Sequence, residues 1–289
     1  MYEKILVPLD GSKLAEQAFP YVAELAKAFV SEVTIIGVCE PEEKESGQAC
    51  RLYVGNEAEI LKNTVGDSAQ FKTVVLEGKA AEQILNYARE NAISLIIMTS
   101  HGRSGIMPWS LGSTVNRVLQ RVGVPLLVVR AKEHPTATPK GLFNRILVPL
   151  DDSESSLEVL PHVAEVAKKL QSEVILLHVV ETGRHVHTIG GLNFVPYKDQ
   201  DMNTLKAKAK EYLEKARTKL AGVKTVRNEI KVGEGARDII KFAKEADCSL
   251  IAMTSHGHSG IEAWSHGSVT YKILQGSDKS VLLVPCVCW

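Results

Sequence analysis

An excess of charge of either sign is missing from this chain: Lys+Arg and Asp+Glu both number 34. Without surplus cations, bulk electrostatics offers no hold on nucleic acid or on an anionic membrane. Long apolar runs are missing too, and none approaches the roughly 20 residues of a membrane span. The N-terminus, MYEKILVPLD, runs straight into charge and a strand. No apolar stretch follows a basic start there, so a signal peptide is not expected. Cysteine is sparse: Cys39, Cys50, Cys248, Cys286 and Cys288 are odd in number and unmatched between the two halves of the chain. A disulfide framework is therefore not expected, and the C-x-C at 286–288 reads as apolar packing. Reduced thiols and no leader point to the cytoplasm. The phosphate-binding run G-x4-G-K-[ST] is absent as well. What is present, 45% hydrophobic and 24% charged residues over 289 positions, suffices for two ordinary domains.

The chain says the same thing twice. KILVPLDGS at 4–12 returns as RILVPLDDS at 145–153, and MTSHGRSGI at 98–106 returns as MTSHGHSGI at 253–261. Each second block is followed by a Gly-Ser pair, Gly112-Ser113 and Gly267-Ser268. The first blocks are offset by 141 residues and the second by 155, a domain-sized period far above that of a solenoid. Domains are expected over 1–132 and 143–289. Between them Ala131–Asn144, with two prolines and a glycine, reads as a linker.

Short β-branched runs alternate with helical patterns in both halves. The first gives strands at Ile5–Leu9, Val33–Val38, Phe71–Leu76, Leu95–Met98 and Val124–Val129, and helices at Ala15–Ala28, Ala81–Ala88 and Ser113–Gln120. The second gives strands at Ile146–Leu150, Val174–Val179, Thr225–Val232, Leu250–Met253 and Val281–Pro285, and helices at Leu157–Leu170, Ala236–Ala243 and Val269–Leu274. Continuously apolar strands separated by helices imply a parallel sheet covered on both faces. The second half has fourteen extra residues after its second strand, where Met202–Ala221 reads as a long charged helix. The first half offers only a shorter candidate near Asn56–Val65, behind the polar stretch Glu40–Gln48.

Ligands of an open doubly wound sheet sit beyond the carboxyl ends of its strands. Asp10-Gly11-Ser12 and Asp151-Asp152-Ser153 follow the first strand of each half. A carboxylate there can accept ribose hydroxyls or hold a hydrated cation; equally, Asp10 and Ser12 can simply cap the next helix. After the fourth strand, glycines at 102 and 105 precede Gly112-Ser113-Thr114 at a helix start, where unpaired N–H groups attract phosphate. Arg103 adds a cation. Their recurrence together in both halves favours a ligand site over isolated caps. His185 and His187 read as a solvated loop. His101 and His256 read as turn residues, and Trp109 and Trp264 as packing.

These blocks resemble the universal stress proteins, in a tandem form with two domains in one chain. The family's nucleotide-binding members carry G-x2-G-x9-G-[ST] after strand four. Here Gly102 with Gly112-Ser113, and Gly257 with Gly267-Ser268, fit its last two elements, while Thr99 and Thr254 replace its first glycine. The resemblance implies two doubly wound parallel-sheet domains of the adenine nucleotide alpha hydrolase-like class, with strand order 3-2-1-4-5. It also implies fifth strands paired across a pseudo-two-fold interface. It places Pro8, Leu9, Asp10 and Val38 around adenosine, and Gly102, Arg103, Gly112, Ser113 and Thr114 around phosphates. The second-half positions are Pro149, Leu150, Asp151, Val179, Gly257, His258, Gly267, Ser268 and Val269. Asp152 in place of Gly11 and His258 in place of Arg103 make the second site the poorer one for phosphate. The function it implies is that of a stress-response sensor or switch binding ATP or AMP, with or without magnesium. That switch would act on an unidentified protein partner, as an intramolecular pseudo-dimer or a further homodimer. With no lysine in either loop, at most slow ATP hydrolysis is expected. A nucleotide-free dimeric scaffold is the other reading.

Overall fold

The computed structural model describes residues 1–39, 44–103, 105, 110–133, 141–188, 191–196, 199–255 and 268–286; within these, 44–46, 183–188, 191–196, 199–200 and 268 are described by their backbone. The first half comprises β1 (Lys4–Leu9), α1 (Phe19–Phe29), β2 (Glu32–Cys39), α2 (Lys44–Val65), β3 (Gln70–Glu77), α3 (Ala80–Glu90), β4 (Leu95–Thr99), α4 (Ser113–Leu119) and β5 (Leu126–Val129). The second comprises β6 (Arg145–Leu150), α5 (Leu160–Leu170), β7 (Glu173–Glu181), β8 (Gly183–Thr188), β9 (Gly191–Pro196), α6 (Asp199–Thr218), β10 (Thr225–Gly233), α7 (Gly235–Glu245), β11 (Leu250–Thr254), α8 (Ser268–Gly276) and β12 (Ser280–Val284). Short 3-10 turns, Ala15–Ala18 and Ser155–Val159, lead into α1 and α5, so the helices expected from 15 and 157 begin more tightly wound. In both cases a proline in the first turn of the α-helix, Pro20 or Pro161, sits where its missing N–H costs nothing.

Ten strands form one sheet in the order β10-β7-β6-β11-β12-β5-β4-β1-β2-β3. Each half is a parallel 3-2-1-4-5 sheet, and the fifth strands join antiparallel with Leu282 opposite Leu127. The core divides by sheet face and not by half. Ile5, Val7, Ile35 and Ile97 face α1 and α2 and share a cluster with Val148, Val163 and Leu213. On the opposite face Leu6, Ile36 and Ile96 pack with α3 and α4, in one cluster with Leu147, Ile239 and Ile273. Alternate residues of a strand point to opposite faces, and both faces are covered. That is why these strands read as unbroken apolar runs.

Two aromatic contacts mark the pseudo-two-fold relation. Tyr2 packs on His162 with ring centroids 5.7 Å apart, and Phe143 packs on Tyr21 at 5.8 Å. Residues 143 and 162 stand 141 positions beyond 2 and 21, so these are the same contact made twice. The linker reading of 131–144 is corrected accordingly. Leu142 and Phe143 are 4% and 3% exposed and belong to the core, while 134–140 lie outside the described residues.

The reading of the fourteen extra residues is also corrected. Helix α2 starts at Lys44, well ahead of the expected 56, and α6 at Asp199, so the two helices match at the larger offset of 155. Val54, Ala58, Leu61 and Val65 of α2 are buried where α6 buries Ala209, Leu213 and Ala216 and the turn after it buries Leu220. The insertion therefore lies ahead of the helix, in the antiparallel hairpin β8–β9. His185 and His187 stand in β8 opposite Phe194 and Leu192, in a strand and not a loop.

Candidate functional site

The parallel register brings the duplicated blocks to one edge. Leu9, the last residue of β1, stands opposite Gly37 of β2, so Asp10 and Val38 emerge side by side. Strand β4 lies on the other flank of β1, and its chain turns at Thr99–Gly102 toward Asp10. There the two blocks touch. The Arg103 N–H donates to Asp10 Oδ2 at 2.6 Å, and the Arg103 guanidinium donates from Nη2 and Nε to the Asp10 carbonyl at 2.6 and 3.1 Å. The other carboxylate oxygen, Oδ1, accepts the Ser12 hydroxyl at 2.6 Å and the Ser12 N–H at 3.0 Å. Gly102 is the residue this contact requires, because a Cβ there would lie 1.9 Å from Asp10 Oδ2. Asp10 thus does both jobs the sequence left open. It organises the turn after β1, and it pins the glycine loop to the end of β1.

Gly112 closes the same edge, its N–H donating to the Ser100 carbonyl at 2.8 Å. It precedes α4 in an extended conformation, φ −56° and ψ 147°, and no side chain caps the helix start. The first N–H groups of α4, at Ser113 and Thr114, have no partner within the helix, as at any helix N-terminus. Thr99, in the place of the family's first glycine, is buried, and its hydroxyl donates to the His101 carbonyl at 2.7 Å. Its side chain therefore braces the turn from inside and takes no room at the edge. His101 is 3% exposed and lies between Ser100 Oγ at 3.1 Å and Ser110 Oγ at 3.4 Å. Burial, helped by the Arg130 cation, pushes its pKa down and keeps the ring neutral.

In the second half Pro149 and Leu150 are buried at the end of β6, with Val179 beside them on β7. Asp151 repeats the turn, accepting the Ser153 hydroxyl at 2.5 Å. Val269 lies in the first turn of α8, and Thr270 donates to the Thr254 carbonyl at 3.3 Å. Gly257, His258 and Gly267, with His256 and Trp264, lie outside the described residues, as does Trp109; Ser268 is placed by its backbone at the start of α8.

Two positions at this edge differ in ways the repeated blocks alone did not signal. Gly37 leaves a space filled by Cys50 Sγ and Val54 of α2, whereas its second-half counterpart is His178. Cys50 hydrogen-bonds Cys39, and burial raises its thiol to about 11. Glu57 of α2 is buried, and its counterpart at the 155 offset is Tyr212, whose hydroxyl meets Ser156 Oγ at 2.7 Å and donates to the Ser153 carbonyl at 2.9 Å. Aligning the halves residue by residue, not only across the repeated motifs, is what exposes these substitutions.

Fold and edge together define a duplicated doubly wound α/β protein with the same turn built after the first strand of each half. The chain belongs to the universal stress protein family, whose model matches residues 1–130 and again 142–285. It is 35% identical over 150 residues to the universal stress protein YxiE of Bacillus subtilis, covering 50% of this chain and 99% of that one. Universal stress protein Slr1230 of Synechocystis is 24% identical over 311 residues, covering 97% of this chain and 99% of that one. Among solved structures, a universal stress protein from Archaeoglobus fulgidus superposes with a TM-score of 0.71 at 21% identity, over 99% of both chains. Among the described residues no helix is long and apolar enough to cross a membrane.

Proposed function

We propose that the chain binds an adenine nucleotide, ATP or AMP, at the carboxyl edge of its first-half sheet. In this reading it acts as a cytoplasmic sensor or switch, and the nucleotide sets the surface presented to a protein partner. The observation that carries the reading is the junction of Asp10 with Gly102 and Arg103, where a carboxylate meets a loop whose glycine leaves no room for a side chain. A carboxylate at this edge suits ribose hydroxyls. The uncapped start of α4 and the Arg103 guanidinium suit phosphates. Pro8, Leu9 and Val38 supply the apolar border for a base. Lys13, the cation next along from Asp10, is paired with Glu16 at 2.9 Å and is not presented to a γ-phosphate. Turnover is accordingly slow in this reading, and magnesium accompanies ATP as its counter-ion.

The test is a charge placed at the helix start. Gly112 has an ordinary negative φ, and a Cβ there would lie 3.3 Å from the Ser100 carbonyl, a contact relieved by a shift of a few tenths of an ångström. Gly112→Ala should keep ATP binding in calorimetric titration, while Gly112→Asp should abolish it at this half, with circular dichroism confirming the fold of both. Parental affinity in a folded Gly112→Asp protein would show that phosphate does not sit at α4.

A further inference from the structure

Cys39 and Cys50 meet at the carboxyl edge of the first half, and the nucleotide reading gives them no role. Cys39 is the last residue of β2, and Cys50 stands in α2, the helix packed over that strand. Gly37 and Cys39 lie two apart on β2 and so face the same side of the sheet. A Cβ at Gly37 would come 2.7 Å from Cys50 Sγ, so the bare glycine is what lets this thiol down onto the strand. There it hydrogen-bonds the Cys39 thiol. Both are free thiols, Cys39 buried and Cys50 half-buried, so solvent reaches the pair from the Cys50 side.

We propose that Cys39 and Cys50 form a dithiol that closes to a disulfide and reopens, making the first-half edge responsive to oxidants. The oxidant is a small disulfide of the glutathione type. Cys50 loses its proton to water, and its thiolate attacks one sulfur of that disulfide. A mixed disulfide forms on Cys50, and one small thiolate leaves. Cys39, deprotonated in turn, attacks Cys50 Sγ; the Cys39–Cys50 bond forms and the second small thiolate leaves. The two protons given up by the cysteines end on the departing thiolates. Two electrons have then passed from the protein pair to the small disulfide, which is reduced to two thiols. Excess small thiol drives the same steps backward.

Contact is what suits this pair to the second step. A nucleophile held against its target reacts as if at very high concentration, so closure outruns attack by thiols free in solution. Burial first, and then the neighbouring Cys39, raise the Cys50 thiol to about 11, while the Arg103 and Arg51 cations pull it the other way. Little thiolate is therefore present at neutral pH, and the pair stays reduced until the oxidant is abundant or the pH rises. The second half makes the same strand–helix contact without sulfur. The counterparts of Cys39 and Cys50 are Val180 and Leu205, and His178 stands where Gly37 does. The packing thus does not require thiols, and their chemistry belongs to the first half alone. Closure fastens α2 to the strand end that carries Val38, across the ten residues that separate the two cysteines in sequence. The inference stands whether or not a nucleotide binds beside it.

The experiment incubates the reduced full chain with excess oxidised glutathione at about pH 8.5, where more thiol is ionised than at neutral pH. Remaining thiols are capped, and the chain is cut with trypsin. Cleavage after Lys27, Lys44 and Arg51 puts Cys39 in peptide 28–44 and Cys50 in peptide 45–51. Mass spectrometry should find these two peptides joined in most chains, two hydrogens lighter than their sum, and dithiothreitol should separate them. Cys39→Ser should instead keep glutathione on Cys50, because the second attack has lost its nucleophile. Glutathione left on Cys50 as the main product in the parent chain overturns the inference. So does either cysteine joined chiefly to a different one, or both thiols unmodified while circular dichroism shows the native fold.

Discussion

Among the described residues, the two carboxyl edges of this molecule share the turn after the first strand and differ in the side chains around it. Both place an aspartate after the first strand, and in both that aspartate accepts a serine hydroxyl two residues on. Around this common turn the first half puts Gly11 and Gly37, and the second puts Asp152 and His178. Duplication kept what the sheet needs, because a change in a strand buried on both faces is felt throughout the core. The edge tolerates replacement, since a side chain there meets solvent or ligand before it meets the core. The difference teaches that the halves are copies as folds and separate as sites.

The halves are also tied together unequally. Arg130, just beyond β5, donates from Nη1 and Nη2 to the carbonyls of Leu274 and Gln275 at 3.1 and 3.0 Å, near the carboxyl end of α8. Its N–H donates to Ser280 Oγ at 3.1 Å, and that hydroxyl donates to Tyr21 Oη at 2.8 Å. A guanidinium at a helix carboxyl end satisfies orphan carbonyls and opposes the negative pole of the helix. The position that answers Arg130 in the second half is Pro285, which has no such side chain. Arg130→Ala should therefore cost about 2–3 kcal/mol in urea unfolding, with Arg130→Lys recovering less than half, since an ammonium cannot span both carbonyls. A loss under about 0.5 kcal/mol would break the claim that one half braces the other.

How far this comparison could be read from the chain depends on the element. Strand β1 and its copy β6 were legible because Ile5, Leu6, Val7 and Leu9 are all buried, so the run is apolar whichever face each residue meets. The full length of α2 was not. Gly47 and Gly55 lower its helix propensity and Lys44–Gln48 is polar, so only the buried stripe from Val54 to Val65 carries a signal. The hairpin has one sequence signal, Gly190-Gly191 between apolar residues, which is a turn signature. At the edge, repetition exposed Asp10, Gly102 and Gly112. His178 stayed out of sight because it lies beyond the repeated motifs and its burial depends on the partner helix.

The strained turn offers a second way to break the comparison. Gly11→Asp copies the second-half residue into the first half, at φ +83° and with a Cβ 3.3 Å from Arg103 Nη2. It should cost about 1 kcal/mol, as side chains do in left-handed backbone. The new carboxylate should also draw Arg103 away from the Asp10 carbonyl and weaken ATP binding there. Asp152→Gly relieves the same strain but loosens the unfolded chain, so its net effect should be near zero. Equal costs from urea titrations of the two variants would show that φ does not distinguish the turns.

The smallest expected effect lies at the shared interface, where the pseudo-symmetric contacts differ in what can titrate. Tyr21 of one pair, its hydroxyl pushed up by burial, stays neutral under ordinary conditions. His162 of the other meets the Tyr2 hydroxyl through Nδ1 at 3.0 Å. Burial first, and then the N-terminal ammonium, push the His162 pKa below its ordinary 6.5. The unfolded chain takes up this proton as pH falls through 6.5 and the folded chain resists it, so protons favour unfolding in that window. The stability is whole above 6.5 and is lost as pH falls from there through the lowered folded value. His101 acts in the same direction. His162→Gln keeps a side-chain partner for Tyr2 and removes one of these titrations. Its unfolding free energy in urea titrations should therefore fall less steeply than the parent's between about pH 6.5 and about pH 5, by a slope of at most about 1.4 kcal/mol per pH unit. Tyr21→Phe, the change on the other side of the pseudo-two-fold, should leave the slope as it is. Parallel curves for the parent and His162→Gln would place the acid sensitivity elsewhere than at this interface.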